Sequence, residues 1–174
     1  MSPAVALLGA LAFHLVAAVL GWLVASWLAA DQAAIAPAIL ERIIDNPRQV
    51  EIYLADIRFE LAKAALIALG ISFLLAAGWL VVAHQARPAS DRQARAKLPL
   101  WALLLAVALI AAAVTVWQIA IDGSVATLMA PGLGLNFLFA TLLLVAVAYW
   151  LSTAVFAPRV LRVSVPLADG ILGR

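Results

Sequence analysis

The strongest constraint on the fold is an uncharged segment near the start of the chain. Residues 3 to 30 contain no Asp, Glu, Lys or Arg. About 20 apolar helical residues are enough to cross the hydrocarbon core of a bilayer. A cleaved signal peptide is the alternative, since Ala29 and Ala30 could serve as a cleavage site, but the segment has no basic n-region and exceeds the roughly 7–15 residues of an apolar h-region. We therefore interpret it as the first transmembrane helix.

The rest of the chain has the same character. Of its 174 residues, 67% are hydrophobic and 11% are charged, whereas roughly 25% are charged in an ordinary soluble domain. A water-soluble domain of this size cannot bury so much apolar surface. We predict an all-α integral membrane protein, a single membrane domain with four transmembrane helices. The spans are predicted at about residues 3–30, 64–83, 100–121 and 134–157.

The distribution of basic residues predicts the orientation. The loop at 84–99 and the tail at 158–174 are basic, whereas the first loop is mixed in charge and the third carries only Asp122. The basic residues of that loop and tail are Arg87, Arg92, Arg95, Lys97, Arg159, Arg162 and Arg174. Cytoplasmic loops carry an excess of Lys and Arg. We therefore expect both termini in the cytoplasm, and the Ala-rich, Cys-free composition favours a bacterial cytoplasmic (inner) membrane.

The tryptophans predict the same orientation. Trp22, Trp27 and Trp117 fall at outer ends of spans, and a second set falls near inner ends. The second set is Trp79, Trp101 and Trp150. Tryptophan is enriched at both membrane–water interfaces, so all six are expected to form aromatic belts.

Residues 31–63 predict a periplasmic amphipathic helical hairpin between the first two spans. Apolar residues recur at helical spacing from Ile35 to Ile44, and Asn46-Pro47 then interrupts the pattern. Proline suits the first turn of a helix and disfavours helical geometry in the residue before it. The apolar pattern resumes after Pro47 and continues into the second span, which predicts one long helix projecting on the order of 25 Å from the membrane.

The hairpin is also the candidate partner-docking surface. Its apolar stripe consists of Ile39, Ile43, Val50, Tyr53, Leu54, Ile57 and Leu61. The two outer helices packing on each other, or lying at the lipid headgroups, are the alternatives. An interfacial helix usually carries a Lys/Arg-rich polar face, but acids outnumber bases here, so the charges favour a protein contact.

Few residues could carry chemistry. The chain has no cysteine, and its spans contain no Asp, Glu, Lys or Arg, so no catalytic, cofactor-binding or metal site is predicted. His14, near the middle of the first span, is a functional candidate because of its depth; the alternative is a neutral histidine hydrogen-bonded to Ser72. The second histidine, His84, is predicted near the cytoplasmic end, which argues against a bis-histidine haem. The candidate intramembrane polar contacts are His14, Ser72, Gln118, Asn136 and Thr141.

Two further patterns concern packing. Ala17, Gly21 and Ala25 are spaced by four in the first span, and small residues at this spacing let helices approach closely. Between the third and fourth spans, the apolar segment 125–130 is expected to form an interfacial turn, with a short re-entrant segment as the alternative.

These observations lead to two principal hypotheses. The first is a non-catalytic integral membrane subunit that scaffolds or regulates a larger inner-membrane complex for transport, secretion or energy conversion. The alternative is a homo-oligomeric channel or small transporter with a sparse polar pore; a membrane enzyme or haem protein using His14 is a weaker third. The expected partners are membrane lipids and other integral membrane subunits or further copies of the chain. Nucleic acid is not expected, because the net charge is only +2 and no long basic run occurs.

Overall fold

The structure, a computed structural model, describes residues 2–86, 90–123 and 125–172. Arg87 and Arg174, which entered the sequence analysis, lie outside the described residues. Those that are described are mainly helical and contain no β-strand. The α-helices are α1 (Pro3–Leu28), α2 (Pro37–Ile43), α3 (Pro47–Gln85), α4 (Asp91–Arg95), α5 (Leu98–Val116), α6 (Leu133–Phe156) and α7 (Ala168–Leu172). Short 3₁₀-helices cover Gln32–Ala34 and Arg159–Ser164, and a π-helical turn covers Trp117–Ile121.

Four helical segments are long and apolar enough to cross a membrane, which confirms the predicted membrane protein. They are Pro3–Leu28, Pro47–Gln85, Asp91–Ile121 and Leu133–Phe156. Their outward faces carry large exposed side chains such as Leu74, Ile110 and Phe139, whereas their inward faces are rich in alanine. Small inward residues suit helices that associate in lipid, where close packing replaces the hydrophobic drive of water.

The helix that contains the second span begins where the sequence predicts. The Asn46 side chain caps α3 by accepting a hydrogen bond from the Gln49 backbone N–H at 3.3 Å, and Pro47 occupies the first turn. The helix then runs unbroken for 39 residues, or about 58 Å at 1.5 Å per residue. This confirms one long helix that continues from the outer segment into the span.

The segment before α2 differs from the prediction. Ile35 is extended, with φ −86° and ψ 140°, and forms an antiparallel bridge with Met129. The helix begins only at Pro37, and Ile44, the last residue of the predicted apolar pattern, is 52% exposed. The connection after α1 thus pairs with a distant segment of the same chain and does not form the first turn of α2.

The connections α1–α2 and α5–α6 meet at one end of the bundle. The Ala36 N–H donates to the Leu128 carbonyl, and the Ala130 N–H donates to the Ala34 carbonyl, both at 2.8 Å. Val125 and Met129 are buried beneath this pairing. The described part of segment 125–130 is therefore a turn, as expected, and not a re-entrant helix.

At the opposite end, the inner tryptophans differ from the predicted belt. Trp79 and Trp101 are buried in the core, and only Trp150 keeps a partly exposed position. The Trp150 Nε1 donates to the Pro166 carbonyl at 2.7 Å. The 3₁₀-helix Arg159–Ser164 packs against α4 here, so the described part of the tail covers side chains expected to face the lipid headgroups. Trp22, Trp27 and Trp117 are exposed at the other end, as the prediction requires.

The spaced small residues of α1 face α3 within the same chain. A Cβ atom added at Gly21 would lie 3.0 Å from the Ala65 Cβ. Ala17 and Ala25, one turn away on either side, are buried. This surface holds the two helices together and is not free for another copy.

Candidate functional site

A buried polar cluster joins three helices near the middle of the bundle. His14 of α1 is buried, and its Nε2 lies 3.1 Å from the Ser72 Oγ of α3. Its Nδ1 lies 2.9 Å from the Ala10 carbonyl oxygen and 3.3 Å from the Ser152 Oγ of α6. Both serines are fully buried. The hydrogen bond between His14 and Ser72 that the sequence suggested is present.

The partners define which ring nitrogen carries the proton. A carbonyl oxygen can only accept, so Nδ1 donates to Ala10 and Nε2 accepts from the Ser72 hydroxyl. A neutral imidazole has one donor and one acceptor, and both are used here. The Ser152 hydroxyl lies beside the same Nδ1–H. His14 is therefore engaged on both nitrogens by its own chain.

The geometry around His14 favours a structural contact between helices over metal or haem binding. A metal or haem iron requires a free nitrogen lone pair, and the Nε2 lone pair already accepts from Ser72. Among the described residues, no group of three or more His, Cys, Asp or Glu side chains could hold a metal ion. The Phe73 ring, 5.6 Å from the imidazole centroid, closes one side of the cluster. The arrangement suits a hydrogen-bonded tie between α1, α3 and α6.

Ser152 was not singled out from the sequence, although a signal exists. It lies on the same face of α6 as Thr141, Val145 and Ala148, all of which are buried. A serine that continues a buried apolar face is expected to need an internal partner. Extending this face from Thr141 along the helix would have found it.

The remaining candidate polar contacts do not join this cluster. Thr141 is buried, and its Oγ1 has no hydrogen-bond partner among the described residues. Gln118 and Asn136 are exposed on the bundle surface. A pore between copies needs accessible lining groups, but His14, Ser72 and Thr141 are enclosed within one chain. Of the five candidate polar contacts, only Gln118 and Asn136 are therefore accessible from outside the chain.

A second polar cluster ties α5 to α6. The Trp101 Nε1 donates to the Thr153 Oγ1 at 2.9 Å, and the Tyr149 hydroxyl donates to the Trp101 carbonyl at 3.3 Å. The Thr153 hydroxyl in turn lies 2.9 Å from the Tyr149 carbonyl. The indole N–H is satisfied in the core, which explains how Trp101 can leave the interface.

The location of the candidate docking surface needs correction. Ile57 and Leu61 are fully buried, and Val50 and Ile43 are nearly so. Ile39, Tyr53 and Leu54 are partly buried against the same core. That core also contains Ala25 of α1, Val116 of α5 and Phe137 of α6. The apolar stripe is covered by the chain itself because α3 uses it to pack against the other spans.

Exposed apolar side chains occur elsewhere on the outer segment. Ile44 and Ile52 are 52% and 53% exposed, and the residues between them are also exposed apart from Val50. We call residues 44–52, the connection after α2 and the start of α3, the outer tip. Asp45, Arg48 and Glu51 of the same segment are also exposed and carry charges of both signs. The outer tip is thus one part of the hairpin at which apolar side chains are available for contact.

Comparison of the chain with protein-family models, curated proteins and solved structures finds no match.

Proposed function

We propose that the protein is a non-catalytic integral subunit of a larger assembly in a bacterial cytoplasmic membrane. Both termini are cytoplasmic in this proposal, and the outer tip contacts a partner subunit in the periplasm. The basic segments 84–99 and 158–174 support this orientation through the positive-inside rule. The hairpin and the paired connections then lie together on the periplasmic side.

The exposed isoleucines of the outer tip carry the proposal. Burying a fully exposed isoleucine contributes roughly 1.5–3 kcal/mol, and burying the exposed half of one contributes about half as much. Ile44 and Ile52 are left about half exposed beside charged residues. An apolar centre with a polar rim is the usual anatomy of a protein interface. The outer tip therefore suits a protein contact outside the hydrocarbon core.

The internal use of the polar groups supports a role without catalysis. His14 is engaged on both nitrogens, and the spans carry no carboxylate or cation that could act as its partner in proton transfer. Ion-coupled transport normally places such groups along the pathway. In this proposal the polar groups of the spans hold the bundle together, and the exposed periplasmic end is left for contact with a partner.

The test compares two double variants expressed with an affinity tag in the native host. Ile44→Asp/Ile52→Asp places two acids on the outer tip and removes both exposed isoleucines. Gln32→Asp/Ala38→Asp adds the same charge at exposed positions of the hairpin outside the outer tip and removes no large apolar side chain. Both should insert and remain monodisperse in mild detergent.

We expect proteins that copurify stoichiometrically with the wild type to be lost from the isoleucine variant and retained by the control. Quantitative mass spectrometry of the eluates measures this. Retention of every stoichiometric partner by Ile44→Asp/Ile52→Asp would reject the outer tip as the contact.

A further inference from the structure

A lateral groove opens between α1 and α3 on the surface of the bundle. It has a volume of about 490 Å³. Trp22, Phe59 and Leu66 form its large apolar walls, and each is at least half exposed. Alanines at positions 18, 55 and 62 line the space between them. The groove remains open because these small residues leave it unfilled.

Arg58 lies at the outer part of this groove. Its Nη2 donates to the Ala29 carbonyl at 3.5 Å, and Ala29 directly follows the last residue of α1. The guanidinium has five N–H donors. Its Nε is buried and has no partner among the described residues, so a ligand in the groove would bind the terminal amino groups. Arg58 therefore lies level with the end of α1, where the helix would reach the lipid headgroups if α1 spans the membrane.

Lys63 is the second cation of the groove. It lies five residues further along α3, or about 7.5 Å towards the membrane interior. Its Nζ pairs with Glu60 and lies 5.9 Å from the Phe59 ring centroid. Arg58, Lys63 and Glu60 together carry a net charge of +1, and no acidic side chain is among the described residues that line the groove. The charge at the mouth of the groove therefore complements an anion.

We propose that this groove binds one anionic phospholipid, with its phosphate at Arg58 and Lys63 and an acyl chain between Trp22, Phe59 and Leu66. Arg and Lys bind phosphate oxygens through charge-assisted hydrogen bonds. The apolar walls continue from the cations towards the hydrocarbon core, where a free phosphate ion has nothing to bind. This site is independent of the partner contact at the outer tip.

Native mass spectrometry of the protein released from neutral detergent tests the proposal. Phosphatidylglycerol and phosphatidylcholine with identical acyl chains are titrated separately, and inorganic phosphate is added in a third series. We expect one phosphatidylglycerol to bind in clear preference to phosphatidylcholine. Inorganic phosphate should not raise the melting temperature of the protein in a separate thermal unfolding experiment.

Three variants locate the site. Arg58→Gln/Lys63→Gln should weaken phosphatidylglycerol binding about tenfold or more, since each basic residue near the membrane surface adds to anionic-lipid affinity. Arg48→Gln removes a cation from the same helix outside the groove and should bind as the wild type does. Ala62→Trp keeps both cations but fills the groove, and should also weaken phosphatidylglycerol binding. This variant tests the site even if the double variant does not fold.

Several results would overturn the proposal. Equal binding of the two lipids would show that the groove does not select an anionic headgroup. Equal affinity of the Arg48→Gln and Arg58→Gln/Lys63→Gln variants for phosphatidylglycerol would show that Arg58 and Lys63 do not bind the phosphate. Stabilisation by inorganic phosphate alone would indicate a soluble-anion site. Chemical cross-links between copies through a cysteine at Phe59 would indicate that a second chain occupies the groove.

Discussion

The Nε2 atom of His14 lies 3.1 Å from the Oγ atom of Ser72, which is 58 residues away in the chain. This contact joins the first and second spans, and Ser152 extends the cluster to the fourth. Interhelical hydrogen bonds within membranes contribute about 0.6 kcal/mol on average and up to about 2 kcal/mol. We therefore expect the cluster to stabilise the bundle by an amount typical of a structural contact between helices.

Substitution of His14 tests this structural role. His14→Gln retains a donor and an acceptor and should cost less stability than His14→Leu, which leaves both buried serines without the imidazole. Ser72→Ala should cost about 0.5–2 kcal/mol. Unfolding in mixed micelles measures these differences. Ser26→Ala is the control, because the buried Ser26 Oγ has no partner among the described residues and its loss should be nearly neutral. Complete and equal loss of cellular function in both His14 variants, with normal stability, would contradict the structural role.

The contact between α1 and α3 is tested with a pair of glycines. Gly21→Leu would force a side chain against Ala65, whose Cβ lies 3.0 Å from the position of an added Cβ. Overpacking of this kind costs about 1–3 kcal/mol or more. Gly70→Leu is the matched control, since nothing lies within 4 Å of its added Cβ. Gly21→Leu should lower the melting temperature in detergent, whereas Gly70→Leu should leave it nearly unchanged. Equal melting temperatures would contradict the close approach of these helices.

The paired outer connections can be tested with an engineered disulfide. Ile35 and Met129 form an antiparallel bridge, in which Cα atoms lie about 4.5–5.5 Å apart. This separation falls within the range of disulfides. Ile35→Cys/Met129→Cys should form an intramolecular disulfide in cells, because the proposed orientation places this end in the oxidising periplasm. Gel mobility with and without reductant measures it, and each single-cysteine variant serves as a control. Failure to form the bond after treatment of the purified protein with oxidant would reject the pairing.

The apolar stripe of α3 should behave as core. Ile57 and Leu61 are fully buried, so Ile57→Asp/Leu61→Asp should destabilise the isolated chain by several kcal/mol. Ile52→Asp, on the exposed face of the same helix, should change stability by no more than about 0.5 kcal/mol. Urea or SDS titration of the purified variants makes the comparison. A double variant as stable as the wild type would contradict the burial of the stripe and would again make it a candidate partner surface.

The sequence predicted the features that depend on local chemistry. The four spans follow from uncharged apolar segments, and the start of α3 follows from Asn46 and Pro47 because capping and proline geometry act within a single turn. The hydrogen bond between His14 and Ser72 followed from similar depth in neighbouring spans.

Features that depend on distant parts of the chain were missed. The extended Ile35 pairs with Met129, and burial of Trp101 depends on Thr153 in another helix. The stripe at Ile57 and Leu61 was identified as apolar, but its pattern could not say whether the same chain or a partner covers it. Identification of the exposed Ile44 and Ile52 therefore required the three-dimensional arrangement.

The partner contact of the outer tip is tested most directly by site-specific photo-crosslinking from position 52 in intact cells. A photoreactive amino acid at Ile52 should give a discrete protein adduct that disappears when Ile44→Asp is also present. The same probe at Leu74, an exposed apolar position in the span portion of α3, should give lipid adducts and no protein adduct of that mass. Absence of any protein adduct from position 52, with the probe incorporated and the chain inserted, would contradict the proposed role of the outer tip in partner contact.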